Sequence, residues 1–125
     1  MPIKQYAGVR LKSFVKIMKA LSDPNRVKII KMLQQRDDLC VCEIRAVLQL
    51  AQPTVSKHLK VLEEAGLVIG SKERLWVNYR LNSATSSPYG TAMLKQLRQW
   101  LDEDPEMREI YAILPAIDRT LICKD

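Results

Sequence analysis

Ala51–Gly66, AQPTVSKHLKVLEEAG, reads as a short helix with two unlike faces, and the rest of the chain is organised around it. Val55, Leu59 and Leu62 recur at helical spacing and make a stripe suited to lie on a core. Gln52, Thr54, Ser56, Lys57, His58 and Lys60 crowd the first two turns with short hydrogen-bonding groups and cations. Pro53 suits a first turn, where its missing N–H had no partner anyway, and Gly66 suits the position just past the end. In a helix-turn-helix, the residues that reach base edges lie near the N-terminus of the second helix, where backbone N–H groups also face phosphates. Thr54, Ser56 and Lys57 are therefore the first candidates for base or phosphate contact, with Gln52, Lys60 and His58 next. An ordinary amphipathic surface helix with a solvated polar face gives the same pattern, so the neighbouring segments must decide.

Upstream, Gln49-Leu50-Ala51 links this helix to another expected from about Val41 to Leu48, with Ile44, Val47 and Leu48 buried. Two short helices with so brief a connection outline a helix-turn-helix. A helix over residues 5–21 carries Leu11, Phe14, Val15, Met18 and Leu21 on one stripe. Ser22-Asp23-Pro24 then caps a second, with Val27, Ile29, Ile30 and Leu33 inside and an end by Asp37. After Gly66 the period changes to two. Leu75, Val77, Tyr79 and Leu81 alternate with Trp76, Asn78 and Arg80 as a strand, Leu67-Val68-Ile69 is its partner, and Gly70–Arg74 is the hairpin tip. Such a hairpin is a wing: Lys72, Arg74 and Arg80 are expected to hold phosphates, and Trp76 to pack beneath.

Beyond the turn-rich loop Asn82–Pro88, Met93, Leu94, Leu97, Trp100 and Leu101 form a long apolar stripe on a fifth helix, and Asp104-Pro105 caps a sixth. These helices have little to cover within a small winged domain, which points to a dimer through Leu11, Phe14, Met93, Leu97, Trp100 and Leu101. The fold class is thus mainly α with a small β-hairpin, a winged helix-turn-helix in the order ααααββαα, dimerised through its terminal helices. Residues 1–103 are read as the DNA-binding and dimerisation domain and 104–125 as a helical extension and tail.

Composition agrees. The 125 residues are 47% hydrophobic and 27% charged, which suits one folded domain rather than a disordered chain. Net charge is +6, with 15 Lys/Arg against 7 Asp/Glu in residues 1–80 and 5 against 7 beyond. A basic unit followed by a tail with another job fits nucleic-acid binding. The start, MPIKQYAGVRLKSF, lacks a signal-peptide core, and apolar runs are too short to span a membrane, so a cytoplasmic protein is expected. Three cysteines argue against a disulfide framework and leave thiols for packing, redox chemistry or metal.

Leu21-Ser22-Asp23-Pro24-Asn25-Arg26, Leu39-Cys40-Val41-Cys42-Glu43-Ile44 and Gln52–Leu62, in this order, resemble the signature stretches of the ArsR/SmtB family. The resemblance runs from about Leu11 to Leu101. It implies a homodimeric repressor that binds a palindromic operator in double-stranded DNA and releases it when a metal or metalloid ion binds. It also implies that the second stretch houses the sensor thiols. Arsenic-sensing members carry a third cysteine where this chain has Arg45, so Cys123, from its own or the partner chain, a small thiol or solvent is left to complete the site. Zinc-sensing relatives place His and carboxylate ligands on the C-terminal helix, whereas the single histidine here is His58. Cadmium- and lead-sensing relatives add N-terminal cysteines, and residues 1–39 contain none. This leaves As(III) or Sb(III) as the expected inducer, with Cd(II) and Pb(II) as alternatives and no constitutive cofactor.

Cys40 and Cys42 open the third helix. A helix N-terminus favours thiolate, the ligand form, while Asp37, Asp38 and Glu43 oppose it. Positions i and i+2 of a helix point about 200° apart, so both sulfurs reach one ion only if the helix end unwinds, an expected route from ion to DNA. Other readings stay open. The thiols can be a redox switch or plain buried side chains, and a thiol enzyme lacks both a βαβ setting and a nearby histidine. A winged domain used only for protein contacts would show no affinity for any duplex.

Overall fold

The computed structural model describes residues 10–123. In chain order these form α1 (Leu11–Ala20), α2 (Pro24–Gln35), β1 (Leu39–Cys40), α3 (Val41–Leu48), α4 (Gln52–Glu64), β2 (Val68–Glu73), β3 (Trp76–Leu81), α5 (Pro88–Leu97), α6 (Pro105–Ile113), a 3-10 turn (Leu114–Ala116) and α7 (Arg119–Ile122). Residues 5–9 of the expected first helix lie outside the described residues.

Helix α2 is the central element. Asp23 caps it, its carboxylate accepting from the backbone N–H groups of Asn25 at 2.8 Å and Arg26 at 3.2 Å, and Pro24 occupies the first turn. Five consecutive residues, Ile29 to Leu33, are buried, so α2 is surrounded on all sides. One of the five is Lys31. Its ammonium donates to the carbonyls of Leu97 and Trp100, each at 2.5 Å, and lies 2.8 Å from the Asp102 carboxylate. Three donors thus meet three acceptors, which makes burial of the cation tolerable.

That lysine corrects the expected length of α5. The helix stops at Leu97 instead of running through Trp100, because the carbonyls that a longer helix would bond internally face Lys31, and Leu101 takes a left-handed φ of 70°. The view that the last helices have little to cover is also corrected. Leu94 and Leu97 of α5, Met107 and Ile110 of α6, and Leu114 join Ile29, Ile30, Leu33, Val47, Leu59 and Leu62 in one core. Residues beyond 104 are therefore part of the same packed unit.

Helices α3 and α4 form the helix-turn-helix. Gln49 makes the turn in left-handed conformation, with φ 55° and ψ 46°. At the far end of α4, Gly66 has φ +78°, the Gly66 N–H bonds the Glu63 carbonyl at 2.9 Å, and the Leu67 N–H bonds that of Leu62 at 3.0 Å. This is a Schellman stop, and only glycine adopts its backbone conformation without cost. It turns the chain straight into the wing.

The sheet has three strands in the order β1-β3-β2, not two. Leu39 pairs with Tyr79 and Cys40 with Asn78, so the short strand before α3 clips the wing to the helix-turn-helix. The hairpin tip is Arg74-Leu75, since Lys72 pairs with Val77 and Glu73 with Trp76. Gly70, expected in the tip, lies mid-strand opposite Tyr79, where a Cβ would come within 2.8 Å of the tyrosine ring. Glycine is there for close approach rather than for a turn.

Candidate DNA interface and thiol site

On α4, Val55, Leu59 and Leu62 are buried, which sets the opposite face outward. Gln52, Thr54, Ser56, Lys57 and Lys60 are all exposed on it. His58 is half-buried, and its Nδ1 lies 3.3 Å from Arg26 Nη1. A guanidinium only donates, so Nδ1 is the acceptor in this contact. Arg26 also donates from Nε to the Ala20 carbonyl at 2.6 Å and from Nη2 to that of Lys19 at 3.1 Å. One arginine thereby ties the end of α1 to the middle of α4, a role for His58 that residue type alone does not announce.

Lys72 and Arg74 are exposed at or beside the wing tip, and Arg74 takes φ 56° there. Arg80 is different. It pairs with Ile69 at the base of the hairpin and lines a depression with Asp37, Asp38 and Arg98, away from the tip. Leu11 is 78% exposed, and Phe14, Trp100 and Leu101 are exposed too, with the Phe14 ring edge-on to Tyr89 at 5.2 Å. Of the residues expected at a dimer interface, Leu97 is corrected: it is buried in this chain's own core and offers no surface to a second copy. Met93 packs partly against that core.

Cys40, Cys42 and Cys123 come together, their sulfurs all within 4.8 Å of one another, and they are the one such group of three or more cysteine, histidine or carboxylate ligands among the described residues. Cys42 and Cys123 are joined as a disulfide with Cα atoms 5.7 Å apart, and Cys40 Sγ stands 3.8 Å from Cys123 Sγ. The expectation that α3 must unwind to let two of these sulfurs meet rested on both lying within the helix. Cys40 is instead the N-cap, with φ −88° and ψ 166°, and only Cys42 is helical. With this change of backbone conformation between them, both sulfurs lie within 4.8 Å of each other while α3 remains helical. Cys123 arrives from α7, whose last turn its N–H closes by bonding the Arg119 carbonyl at 2.8 Å.

The donor set suits a soft ion. Two sulfurs each about 2.3 Å from one metal stand about 3.8 Å apart at a tetrahedral angle, the separation typical of thiolate sites. Cys40 and Cys123 have that separation. Burial pushes the Cys40 thiol above its ordinary range, the backbone N–H of Glu43 opposes this, and the Glu43 carboxylate adds to the rise. Cys40 is thus a thiol until something displaces its proton.

Glu43 is the centre of an unanticipated network. Fully buried, it closes a capping box by accepting the Cys40 N–H at 2.9 Å, and it receives Arg36 and Arg119, each at 2.9 Å. Arg36 also donates to the carbonyls of Leu114 and Ile117 at 3.2 and 2.8 Å. Arg119 donates to Asn78 Oδ1 at 2.7 Å and stacks 5.1 Å over the Trp76 ring, and buried Asn78 passes the chain on to Glu73 at 2.7 Å. A glutamate three residues after the cap was a readable signal for half of this. Arg36 reaches it from the end of α2, only seven residues back, whereas Arg119 comes from α7, 76 residues on.

A helix-turn-helix followed by a hairpin tipped with cations, beside a buried cluster of thiols, defines a winged helix DNA-binding regulator. Residues 23–69 match the family described as bacterial regulatory protein, arsR family. The arsenic resistance transcriptional regulator ArsR1 of Pseudomonas putida KT2440 is 31% identical over 111 residues, covering 83% of this chain and 86% of that one. The arsenical resistance operon repressor of Escherichia coli K12 is 38% identical over 68 residues, 54% of this chain and 58% of its own length. The solved structure of reduced HlyU from Vibrio cholerae N16961 aligns with a TM-score of 0.59 at 34% identity, over 69% of this chain and 85% of that one. The chain belongs to the arsR family of transcriptional regulators and is a DNA-binding regulator, not an enzyme. Among the described residues, no helix is long and apolar enough to cross a membrane.

Proposed function

We propose that this chain is a homodimeric, cytoplasmic repressor that binds a palindromic operator and lets go when a thiophilic ion joins Cys40, Cys42 and Cys123. The gathering of three sulfurs, two from the start of α3 and one from α7, supports this reading most. It supplies from Cys123 the ligand whose usual place is taken by Arg45. As(III) or Sb(III), which takes three sulfurs in a pyramid, suits this set better than Cd(II), which usually takes a fourth ligand; Pb(II) stays the alternative. With arsenous acid, three S–As bonds replace three As–O bonds, each thiol proton leaves with a hydroxyl as water, and the disulfide must first be reduced.

Base edges are read by Thr54, Ser56 and Lys57, with Gln52 and Lys60 beside them and His58 held by Arg26. Lys72 and Arg74 grip phosphates at the tip, while Arg80, beside two carboxylates, contributes least. The second copy covers Leu11, Phe14, Trp100 and Leu101, with Met93 at the edge. Two copies then set their α4 helices on successive major grooves, about 34 Å apart.

The joining of Cys42 to Cys123 favours a second reading, in which thiol oxidation alone is the signal. One titration separates the two. Fluorescence anisotropy on a duplex from the chain's own upstream region is followed while arsenite, then cadmium, is added to reduced protein, with Cys40→Ser and Cys123→Ser alongside. Release by arsenite that both substitutions abolish supports the ion reading. Release only by an oxidant, without any ion, supports the redox one. Tight binding disturbed by neither refutes both.

A further inference from the structure

Helix α7 is only four residues long and cannot hold its shape alone, so its position is set by what it touches at each end. At one end is Cys123, on Cys42 and near Cys40. At the other, Arg119 bridges Glu43, beneath the thiol site, and Asn78, inside the wing. From Asn78 the contact continues to Glu73, the last residue of β2 before the tip, and the same guanidinium covers Trp76, the first residue of β3. The two ends are one helical turn apart and move as a piece.

We propose that residues 117–123 are a strap whose seating on the thiol site fixes the wing, with Arg119 as the positioning residue that carries the coupling. The proposal rests on reading Cys123 as a member of the thiol site, whether an ion or a disulfide holds it there. Seating Cys123 confines Arg119 to the gap between Glu43 and Asn78. Asn78 and Glu73 are then held against the strap, and the tip cations Lys72 and Arg74 lose their freedom to follow a DNA backbone. Releasing Cys123 frees Arg119, and with it the tip end of the hairpin. Linkage makes the effect mutual: whatever loosens Arg119 also weakens the hold on Cys123. The seated strap is thus the releasing state, and the signal reaches DNA through the wing, with α3 intact.

The test seats the strap in two independent ways. Arsenite is added to reduced full-length protein, its binding followed by sulfur–arsenic absorption. In a parallel arm diamide takes two electrons and two protons from the Cys42 and Cys123 thiols, leaving as the hydrazine, and thiol titration counts the disulfide. The readouts are the Trp76 indole N–H resonance, amide exchange over Glu73–Asn78, and operator affinity. Seating should shift the resonance, slow exchange by roughly fivefold or more, and weaken operator binding.

In Arg119→Gln, the thiol chemistry should proceed while all three readouts stay still, and arsenite should bind roughly fivefold or more weakly. Arg119→Lys keeps the charge but lacks the planar fork that reaches both acceptors, and it should behave like Arg119→Gln. A wing that responds fully in either variant overturns the proposal. Absence of sulfur–arsenic absorption in the parent removes the ion reading alone, because the diamide arm still tests the strap. If neither reagent engages Cys123, the strap has no anchor and the proposal falls.

Discussion

Replacing Glu43 by glutamine keeps the shape of the side chain and removes its charge. The carboxylate is fully buried and accepts from three donors: the Cys40 N–H, Arg36 and Arg119. Hydrogen bonds to a charged group contribute about 1.5–3 kcal/mol each, and breaking a buried ion pair costs about 3–5 kcal/mol. The arginine side chains keep 34% and 20% of their surface in water, so solvent screens part of this loss. The amide oxygen of glutamine still serves one or two donors, but its NH₂ group opposes an arginine N–H. About 3 kcal/mol of lost stability is the outcome expected, or roughly 10 °C in Tm for a domain of this size. Urea unfolding of the reduced protein, followed by far-UV circular dichroism at fixed concentration, measures it. A double-mutant cycle with Arg119→Gln should return a coupling of about 1 kcal/mol or more. A loss below about 1 kcal/mol for Glu43→Gln, with additive energies in the cycle, would show that the buried carboxylate does not organise the site.

Lys72→Ala or Arg74→Ala should weaken operator and non-operator DNA alike and lower the slope of log affinity against log salt by about 1, whereas a change in sequence preference would assign these side chains to base reading. Leu11→Glu should leave the fold of one chain nearly untouched, because Leu11 is 78% exposed, yet shift sedimentation from dimer to monomer. A variant that sediments like the parent would remove α1 from the interface. The Lys31 ammonium and then the Tyr111 hydroxyl hold the Asp102 carboxyl below its ordinary range. A lowered folded-state pKa contributes stability above the unfolded value, about 3.9, and that contribution is lost as pH falls through the folded one. Asp102→Asn should therefore be less stable than the parent at pH 7, with the gap closing in acid. Parallel stability curves down to pH 2 would contradict the Lys31–Asp102 pairing.

Local chemistry made much of this chain legible. The caps at Asp23 and Asp104, the Gly66 stop and the Val55–Leu59–Leu62 stripe each depend on residues within a few positions of one another, and the helices that they bound formed where expected. The wing was readable as a change of period, although its tip lay further along, because Gly70 is needed for the Tyr79 ring and not for the turn. The first apolar stripe was readable as a pattern but not as a burial. Ile17 and Ala20 are the residues of α1 that enter the core, while Leu11, Phe14 and Val15 stay outside. Periodicity shows that a helix has an apolar side, and it cannot tell whether that side meets its own chain or another.

The thiol site divides in the same way. Sequence by itself determined the second helix of the helix-turn-helix, its outward polar face and the placing of Cys40 and Cys42 at the start of α3, since these follow from spacing along one or two elements. Only tertiary structure decided that Cys40 caps α3 from outside, that Cys123 completes the cluster, and that Lys31 and Glu43 are buried ions with partners. Those outcomes hang on Arg36, Asn78, Leu97, Arg119 and Cys123, the last of which meets Cys40 from 83 residues away. A charge is affordable in a core only where such partners converge, and convergence is a property of the packed chain rather than of any segment in it.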